Sequence, residues 1–406
     1  ENAIAPQLIH TSPHSPSLTL ESLQSTSQDT TTSYTLAADG VAPNPDDIAL
    51  ILLTSGSTGT PKGVQLTHHN LITSIYGMAT ANRLSAKDIT LNWMPLEHVA
   101  SLVMFHLTEV YLGCEQIHIS QPRILKDPLS WLDLLEQHKV TVTWAPNFAY
   151  GLVNDQAPEI TRRSQIKPWN LSHIRWMGNG AEAVVGKTAR QFLKLLIPHK
   201  LSPTAISPGY GMSETSSGIV HSQTFSLDTT KDTDTFVNVG HPIPGTTLRI
   251  VDEENNPLPE HTIGQLQVKG PTIMAGYYSP SSEKEISNSD LSAVDWVSPD
   301  GWFNTGDLGF LKGGTLTITG RQKDIIIIGG TNYYSHDLES IVEQLDDIEI
   351  SFTAACGVRS AQDTTEQLAI FFVSSEKTAA IDIIRHILTQ LVSLAVISPT
   401  YVFPVK

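Results

Sequence analysis

The chain divides by the rhythm of its apolar positions. Residues 11–35 are rich in Ser, Thr, Gln and Pro and hold few apolar side chains in any period. Such a stretch buries too little surface to offset its ordering entropy, so residues 1–45 read as a polar linker. Pro43, Pro45, Asp46 and Asp47 then punctuate the approach to a strand at Ala49–Leu53. Beyond it, strand-like and helix-like stretches alternate, as in layered α/β proteins. Over Ser130–His138, Trp131, Leu132, Leu134 and Leu135 share one helical face; a strand follows at Val140–Trp144, and Lys187–Leu196 reads as another helix. From Val237 to Tyr278 short strands sit between Pro-Gly, Asn-Asn-Pro and Gly turns, which predicts a β subdomain over about 237–320. A boundary falls at Gly320–Lys323. After it come a strand (Ile325–Ile328), a helix (Ser335–Leu345), two strands (Ile350–Gly357 and Gln367–Ser374), a helix (Ile381–Leu394) and a strand (Tyr401–Val405), a compact α+β unit over 321–406. No apolar run approaches the roughly 18 residues of a membrane helix, and no internal repeat is seen.

Composition narrows the classes. The chain has 406 residues, 40% apolar and 16% charged, with a formal net charge of −16. That length supports a sizeable core and two or more domains. The acidic balance argues against a nucleic-acid partner, whose footprint is a basic patch. Cys114 and Cys356 are the two cysteines, which excludes a disulfide scaffold or a cysteine-rich zinc site and fits a reducing, cytoplasmic setting. The N-terminus lacks a basic region followed by an apolar core, so it does not read as a signal peptide.

Lys62, the first Lys or Arg, sits in the strongest local signal. Thr54-Ser55-Gly56-Ser57-Thr58-Gly59-Thr60-Pro61-Lys62-Gly63 follows directly on the first strand. Its glycines let the backbone fold tightly and turn N–H groups to an anion, its hydroxyls add donors, and Lys62 supplies a mobile positive charge. This is a polyphosphate cradle. It departs from the Walker pattern, because Pro61 precedes the lysine and Gly63 follows it, and that disfavours a P-loop ATPase or kinase.

Here the chain resembles the adenylate-forming superfamily of acyl-CoA synthetases, fatty acyl-AMP ligases, luciferases and nonribosomal peptide synthetase adenylation domains. Further motifs follow in the order of that family. Gly209-Tyr210-Gly211-Met212-Ser213-Glu214-Thr215 is similar to its second ATP motif. The resemblance implies that Tyr210 stacks on adenine, Ser213 meets the α-phosphate, and Glu214 holds magnesium. Phe303-Asn304-Thr305-Gly306-Asp307 resembles the motif whose aspartate accepts from both ribose hydroxyls. Asn304 replaces the common arginine and carries no implied role. Gly320-Arg321-Gln322-Lys323-Asp324 is similar to the hinge signature, with Arg321 toward the ribose and Lys323 as pivot. Gly329-Gly330 resembles the loop that lines the thiol tunnel. Gly178-Asn179-Gly180-Ala181-Glu182 is similar to the loop bordering adenine and the acyl pocket. Trp93-Met94-Pro95-Leu96-Glu97-His98 resembles the motif whose histidine gates the acyl site. Gly264, Gly270 and Gly276-Tyr277-Tyr278 match a glycine-spaced strand motif and read as structural. His68-His69 and His106 lack metal-ligand spacing and read as surface or packing residues.

The resemblance implies a layered large domain, two α/β subdomains plus a β subdomain and here N-terminally incomplete, with a small C-terminal α+β domain. It also implies two-step chemistry: a carboxylate attacks the α-phosphorus of ATP, pyrophosphate leaves, and a thiol then takes the acyl group. Carboxylate is a weak nucleophile, so catalysis rests on alignment and charge neutralisation by Lys62, by magnesium at Glu214 and by loop donors. Gly211 and Met212 are expected beside the acyl group with His98, Val99, Gly178 and Asn179. In domains that select α-amino acids an aspartate follows the pocket-mouth aromatic. Matching His98 to that aromatic puts Val99 in the aspartate's place, and valine does not offset the burial of an ammonium. The expected substrate is therefore a fatty, aryl or phenylpropanoid acid with no required α-amino group.

The expected acceptor is the phosphopantetheine of a peptidyl or acyl carrier protein, as in loading domains of hybrid polyketide–peptide synthetases, with free coenzyme A as the alternative. No long insertion separates Gly211 from Gly240, which disfavours a fatty acyl-AMP ligase, although Asn332-Tyr333-Tyr334 is similar to that branch. A further alternative is a catalytically inert adenylate-binding fragment. The family's small-domain lysine lies in a Gly-Lys motif without counterpart here, since Val402-Phe403-Pro404-Val405-Lys406 resembles the strand just before it. The expectation is thus a piece of a longer protein, short of that lysine and of the subdomain preceding the phosphate loop.

Overall fold

The computed structural model describes residues 44–54, 62–278, 297–328, 331–358, 367–374 and 379–405. Ser55, Gly56, Ser57, Thr58 and Gly59, the Gly329-Gly330 pair, Lys406 and nearly all of the polar linker therefore lie outside the described residues.

Strands β1 (Ile48–Thr54) and β2 (Lys62–Thr67) pair antiparallel, with Thr54 opposite Lys62. The cradle is thus the connection of a hairpin, whereas a Walker loop joins a strand to a helix. Helix α1 (His68–Ala81) starts on a reciprocal cap: Asn70 N donates to Thr67 Oγ1 at 3.1 Å, and Thr67 N donates to Asn70 Oδ1 at 2.9 Å. Asn70 Nδ2 also donates to the carbonyls of Pro271 (2.8 Å) and Ile273 (2.9 Å). It thereby ties α1 to the segment that leads into β12 (Gly276–Tyr278), the third strand of this small sheet. Asn70→Ala keeps the Thr67 half of the cap but leaves Thr67 N without its acceptor and two carbonyls short of a donor. We expect it to destabilise the protein by about 2 kcal/mol. Urea denaturation checks this, and an unchanged midpoint contradicts it.

The main sheet begins with parallel strands β3 (Ile89–Asn92), β4 (Glu115–His118), β5 (Val142–Ala145), β6 (Trp176–Asn179) and the start of β7 (Ile206–Met212). Helices α2 (Leu129–Gln137), α3 (Asn147–Asn154) and α4 (Gly186–Leu196) occur in the connections between them. Trp131, Tyr150 and Phe192, all fully buried, meet edge to face or tilted at 4.9–6.3 Å and anchor the core between these helices and the sheet. From β7 onward the pairing is antiparallel, through β8 (Ser217–His221), β9 (Asn238–Pro242), β14 (Thr315–Arg321), β13 (Phe303–Lys312), β11 (Gly264–Lys269) and β10 (Thr247–Val251). The strands expected over 237–320 therefore continue the α/β sheet: Val220 pairs with Pro242 and His221 with His241. Among the described residues this sheet has eleven strands and changes from parallel to antiparallel at β7.

The C-terminal part is α+β. Hairpin β15 (Ile325–Ile328) and β16 (Thr331–Tyr334) leads into α5 (Ser335–Val342). A sheet of β17 (Ile348–Val358), β18 (Gln367–Ser374) and β19 (Tyr401–Pro404) follows, with α6 (Ala380–Ala395) before its last strand. Ile383, Ile387 and Leu391, one helical stripe of α6, pack with Leu338, Val342, Ile370 and Phe372. Helix α5 stops earlier than its apolar spacing predicts. Leu345 N bonds Val342 O and Ile348 N bonds Leu345 O, so the chain turns at once into β17. Among the described residues no helix is long and apolar enough to cross a membrane.

Candidate active site

The change from parallel to antiparallel pairing at β7 opens a position on the sheet for a ligand. A cavity of about 520 Å³ occupies that position, bounded by β5, β6, β7 and β8 and closed by β12, β13 and the end of β14. Thr54 and Lys62, the two ends of the cradle, both line it.

One end of the cavity is charged. Glu214 sits on the short turn Ser213–Thr215 after β7, 8% exposed, and its Oε1 accepts from the Tyr277 hydroxyl at 2.7 Å. Lys62 Nζ stands 4.7 Å from the centroid of the Tyr277 ring. Asp307, in β13 and 5% exposed, accepts from the Tyr210 hydroxyl at 2.6 Å through Oδ2 and pairs with Arg321 Nε at 3.2 Å through Oδ1. Burial raises the Asp307 carboxyl above the usual carboxylate range, and the Tyr210 hydroxyl and Arg321 pull against that rise. Burial likewise raises the Tyr210 hydroxyl far above its ordinary range, so it acts as a donor.

The other end is apolar and aromatic. His98 stands beside Trp144 at 5.9 Å, and its Nδ1 accepts from Ala100 N at 3.2 Å, which places the proton of the neutral ring on Nε2. The apolar wall lowers its pKa below the usual histidine range, against the pull of Glu97. Val99 is 7% exposed and begins the π-helix Ala100–Leu107, which contributes Ala100 and Met104 to the wall. Gly178 makes room for the Trp176 ring, which a Cβ there would meet at 2.5 Å. Gly211 serves β7–β8 pairing, since its Cβ would lie 2.1 Å from the Ser217 carbonyl. His221 closes the floor. Burial pushes its imidazole down to about 4, so the ring is neutral at neutral pH.

Nearly all the residues singled out from the sequence and described in the structure converge on this cavity. Thr54, Lys62, His98, Val99, Gly178, Asn179, Gly180, Ala181, Tyr210, Gly211, Met212, Ser213, Glu214, Asp307 and Arg321 all line it. Glu182 is placed differently. Its Oε1 accepts from Phe148 N at 2.6 Å, at the start of α3, so it serves a helix end rather than the cavity wall expected for it. Lys323 lies in the turn Gln322–Asp324 between β14 and β15, and its side chain is outside the described residues. Tyr277, read from sequence as part of a structural glycine motif, lines the cavity between two charged residues. Trp144, Trp176 and His221 also line it without a motif to mark them, brought there by strand pairing, and Asn304, which its motif left without a role, joins them.

A profile of AMP-binding enzymes matches residues 3–278. The chain belongs to the AMP-binding enzyme family. It is thus a member of the adenylate-forming superfamily that its motifs resemble. It is 33% identical over 333 residues to the nonribosomal peptide synthetase apvA of Aspergillus terreus (strain NIH 2624 / FGSC A1156), covering 82% of this chain and 35% of that protein. The chain therefore spans about a third of the length of the curated relatives it matches. Among solved structures it is similar to McyG A-PCP complexed with phenylalanyl-adenylate, at 42% identity and a TM-score of 0.78, covering 90% of this chain and 64% of that one. It is also similar to the adenylation domain of a keto acid-selecting module bound to keto acyl adenylate, at 37% identity and a TM-score of 0.67, covering 91% and 70%.

Family membership implies ATP and magnesium, and the cavity residues suit both. Among the described residues no three His, Cys, Asp or Glu side chains gather into an all-protein metal site. Magnesium is held by one or two carboxylates together with phosphate oxygens and water, and Glu214 supplies such a carboxylate beside Lys62 and the cradle. A bound magnesium would neutralise charge on the phosphates.

Proposed function

We propose that this chain activates a carboxylic acid as acyl-adenylate with release of pyrophosphate. The acid is of fatty, aryl or phenylpropanoid type with no required α-amino group. The observation that carries the reading is the two-ended cavity. Lys62, Glu214, Asp307 and Arg321 line its charged part, and Met104, Trp144 and Trp176, packed with Ala100 and Phe105, line its apolar part. In the proposed roles Lys62 and the cradle neutralise the phosphates, Glu214 holds the metal, and Asp307 with Arg321 takes the ribose. Tyr210 and Ser213 border the adenine and α-phosphate, while His98 and Val99 border the acyl group.

Among the described lining residues the carboxylates are Glu214 and Asp307, and both are bonded at the charged end. A substrate ammonium beside Val99 would be buried without a partner, at a cost that disfavours it. The likeness to a domain bound to keto acyl adenylate supports this choice, while the likeness to McyG, solved with phenylalanyl-adenylate, makes phenylalanine the competitor to test. ATP–pyrophosphate exchange on a protein containing this chain is therefore run with phenylalanine, its 2-oxo acid, 3-phenylpropanoate and a medium-chain fatty acid. One of the last three is expected to exceed phenylalanine by about tenfold or more in kcat/KM. A preference for phenylalanine overturns the reading.

We place the acceptor as the phosphopantetheine thiol of a carrier protein and the pivot between the two steps at Lys323. The nonribosomal peptide synthetase relatives and the A-PCP composition of McyG support the carrier. Transfer of labelled acyl groups to a carrier protein but not to free coenzyme A is the expected result.

A further inference from the structure

Tyr277 touches both charges that the proposed chemistry needs, and it does so with different parts of one side chain. Strand pairing brings it there. In β12, Gly276 pairs with Gln65, Tyr277 with Val64 and Tyr278 with Gly63, so Tyr277 lies one turn of the pleat from Lys62. Alternation sends Tyr278 outward, 46% exposed, and Tyr277 into the cavity. The segment leading into β12 is fixed to the other partner, because Met274 N donates to the backbone carbonyl of Glu214 at 2.9 Å. Two backbone attachments thus set the Tyr277 ring between the lysine strand and the glutamate turn.

We infer that Tyr277 is a positioning residue that sets Glu214 and Lys62 for a metal-bound triphosphate. This rests on the ATP-binding reading of the cavity. The hydroxyl holds Glu214 Oε1 at 2.7 Å and so presents the second carboxylate oxygen for single-point coordination, the mode suited to magnesium that keeps its waters and phosphate oxygens. The ring face holds the Lys62 ammonium at 4.7 Å by cation–π attraction, a contact that a phosphate oxygen outcompetes. Phenylalanine keeps the second contact and loses the first; leucine loses both.

Calorimetric binding of ATP, with magnesium and with a chelator, separates these roles in wild type, Tyr277→Phe and Tyr277→Leu. Tyr277→Phe is expected to weaken binding with magnesium about tenfold while leaving metal-free binding within about twofold. Tyr277→Leu weakens both. In a Glu214→Gln background, Tyr277→Phe adds less than about twofold, because the hydroxyl has lost its charged acceptor. A thermal midpoint unchanged without nucleotide shows that the variants fold, and a merely structural tyrosine would shift that midpoint instead of the metal dependence. Equal loss with and without magnesium, no loss at all, or a full tenfold loss in the Glu214→Gln background overturns the inference. A wild-type chain that binds no ATP in either condition overturns the ATP-binding reading itself, a result distinct from these.

Discussion

Asp307→Ala is expected to lower kcat/KM for acid activation by about 100-fold, almost all of it as a higher KM for ATP. The carboxylate has two oxygens, held in the free protein by the Tyr210 hydroxyl and by Arg321. Vicinal ribose hydroxyls are donors of the same kind and fit the same two acceptors. A hydrogen bond to a charged group contributes about 1.5–3 kcal/mol, so losing two removes at least two decades of affinity even after water fills part of the gap. In the role proposed for Asp307 the ribose is remote from the reacting phosphorus, so ground state and transition state would lose the contact alike and kcat would change little. Asp307→Asn keeps the shape but turns one acceptor into a donor, and its loss is expected to approach that of alanine. Pyrophosphate exchange across a range of ATP concentrations reads both constants. A KM for ATP within about threefold of wild type would remove Asp307 from the ribose site.

Local pattern carries much of this architecture, and its failures have physical causes. The apolar face of Trp131, Leu132, Leu134 and Leu135 places α2 at Leu129–Gln137, and Gln367–Ser374 forms as expected because a buried strand reads as an uninterrupted apolar run. Pairing between distant strands has no such signature. The turn-rich stretch from Val237 looks autonomous in sequence, yet two residue pairs between β8 and β9 make it an extension of the α/β sheet. The same limit hides Tyr277, whose partners Glu214 and Lys62 come from other parts of the chain. Glu182 fails for the opposite reason. Its motif neighbours Gly180 and Ala181 line the cavity, but the backbone at Ala181 is left-handed (φ +68°), and the Glu182 carboxylate bonds the first turn of α3. Motif positions therefore show which residues gather at one cavity, and do so less where one turn decides which way a side chain points.

Glu109→Gln is expected to make the protein more stable by about 3 kcal/mol at pH 7 and to leave it unchanged near pH 4.5. Glu109 lies just after the π-helix, 3% exposed, in a small cavity with Thr90, Met104 and Cys114, and its Oε2 has no hydrogen-bond partner among the described residues. Burial pushes its carboxyl up to about 8 from an ordinary value of 4.5, while the Thr90 hydroxyl opposes that rise. The folded state therefore holds a proton that the unfolded chain releases. Below about pH 4.5 both states are protonated and the group contributes no penalty. Between about 4.5 and 8 the unfolded chain binds fewer protons, so stability falls as pH rises, and it levels off above the folded value. Cys114, raised to about 11 chiefly by burial, stays a thiol through this window and adds no slope. Glutamine has nearly the shape of the protonated acid and cannot ionise, so it removes the slope while keeping the packing. Urea denaturation of both proteins from pH 4.5 to 8 measures the difference, which should widen steadily with pH. Parallel stability curves would mean that the carboxylate ionises inside the fold at little cost, with water or a shifted side chain supplying the partner that this cavity lacks.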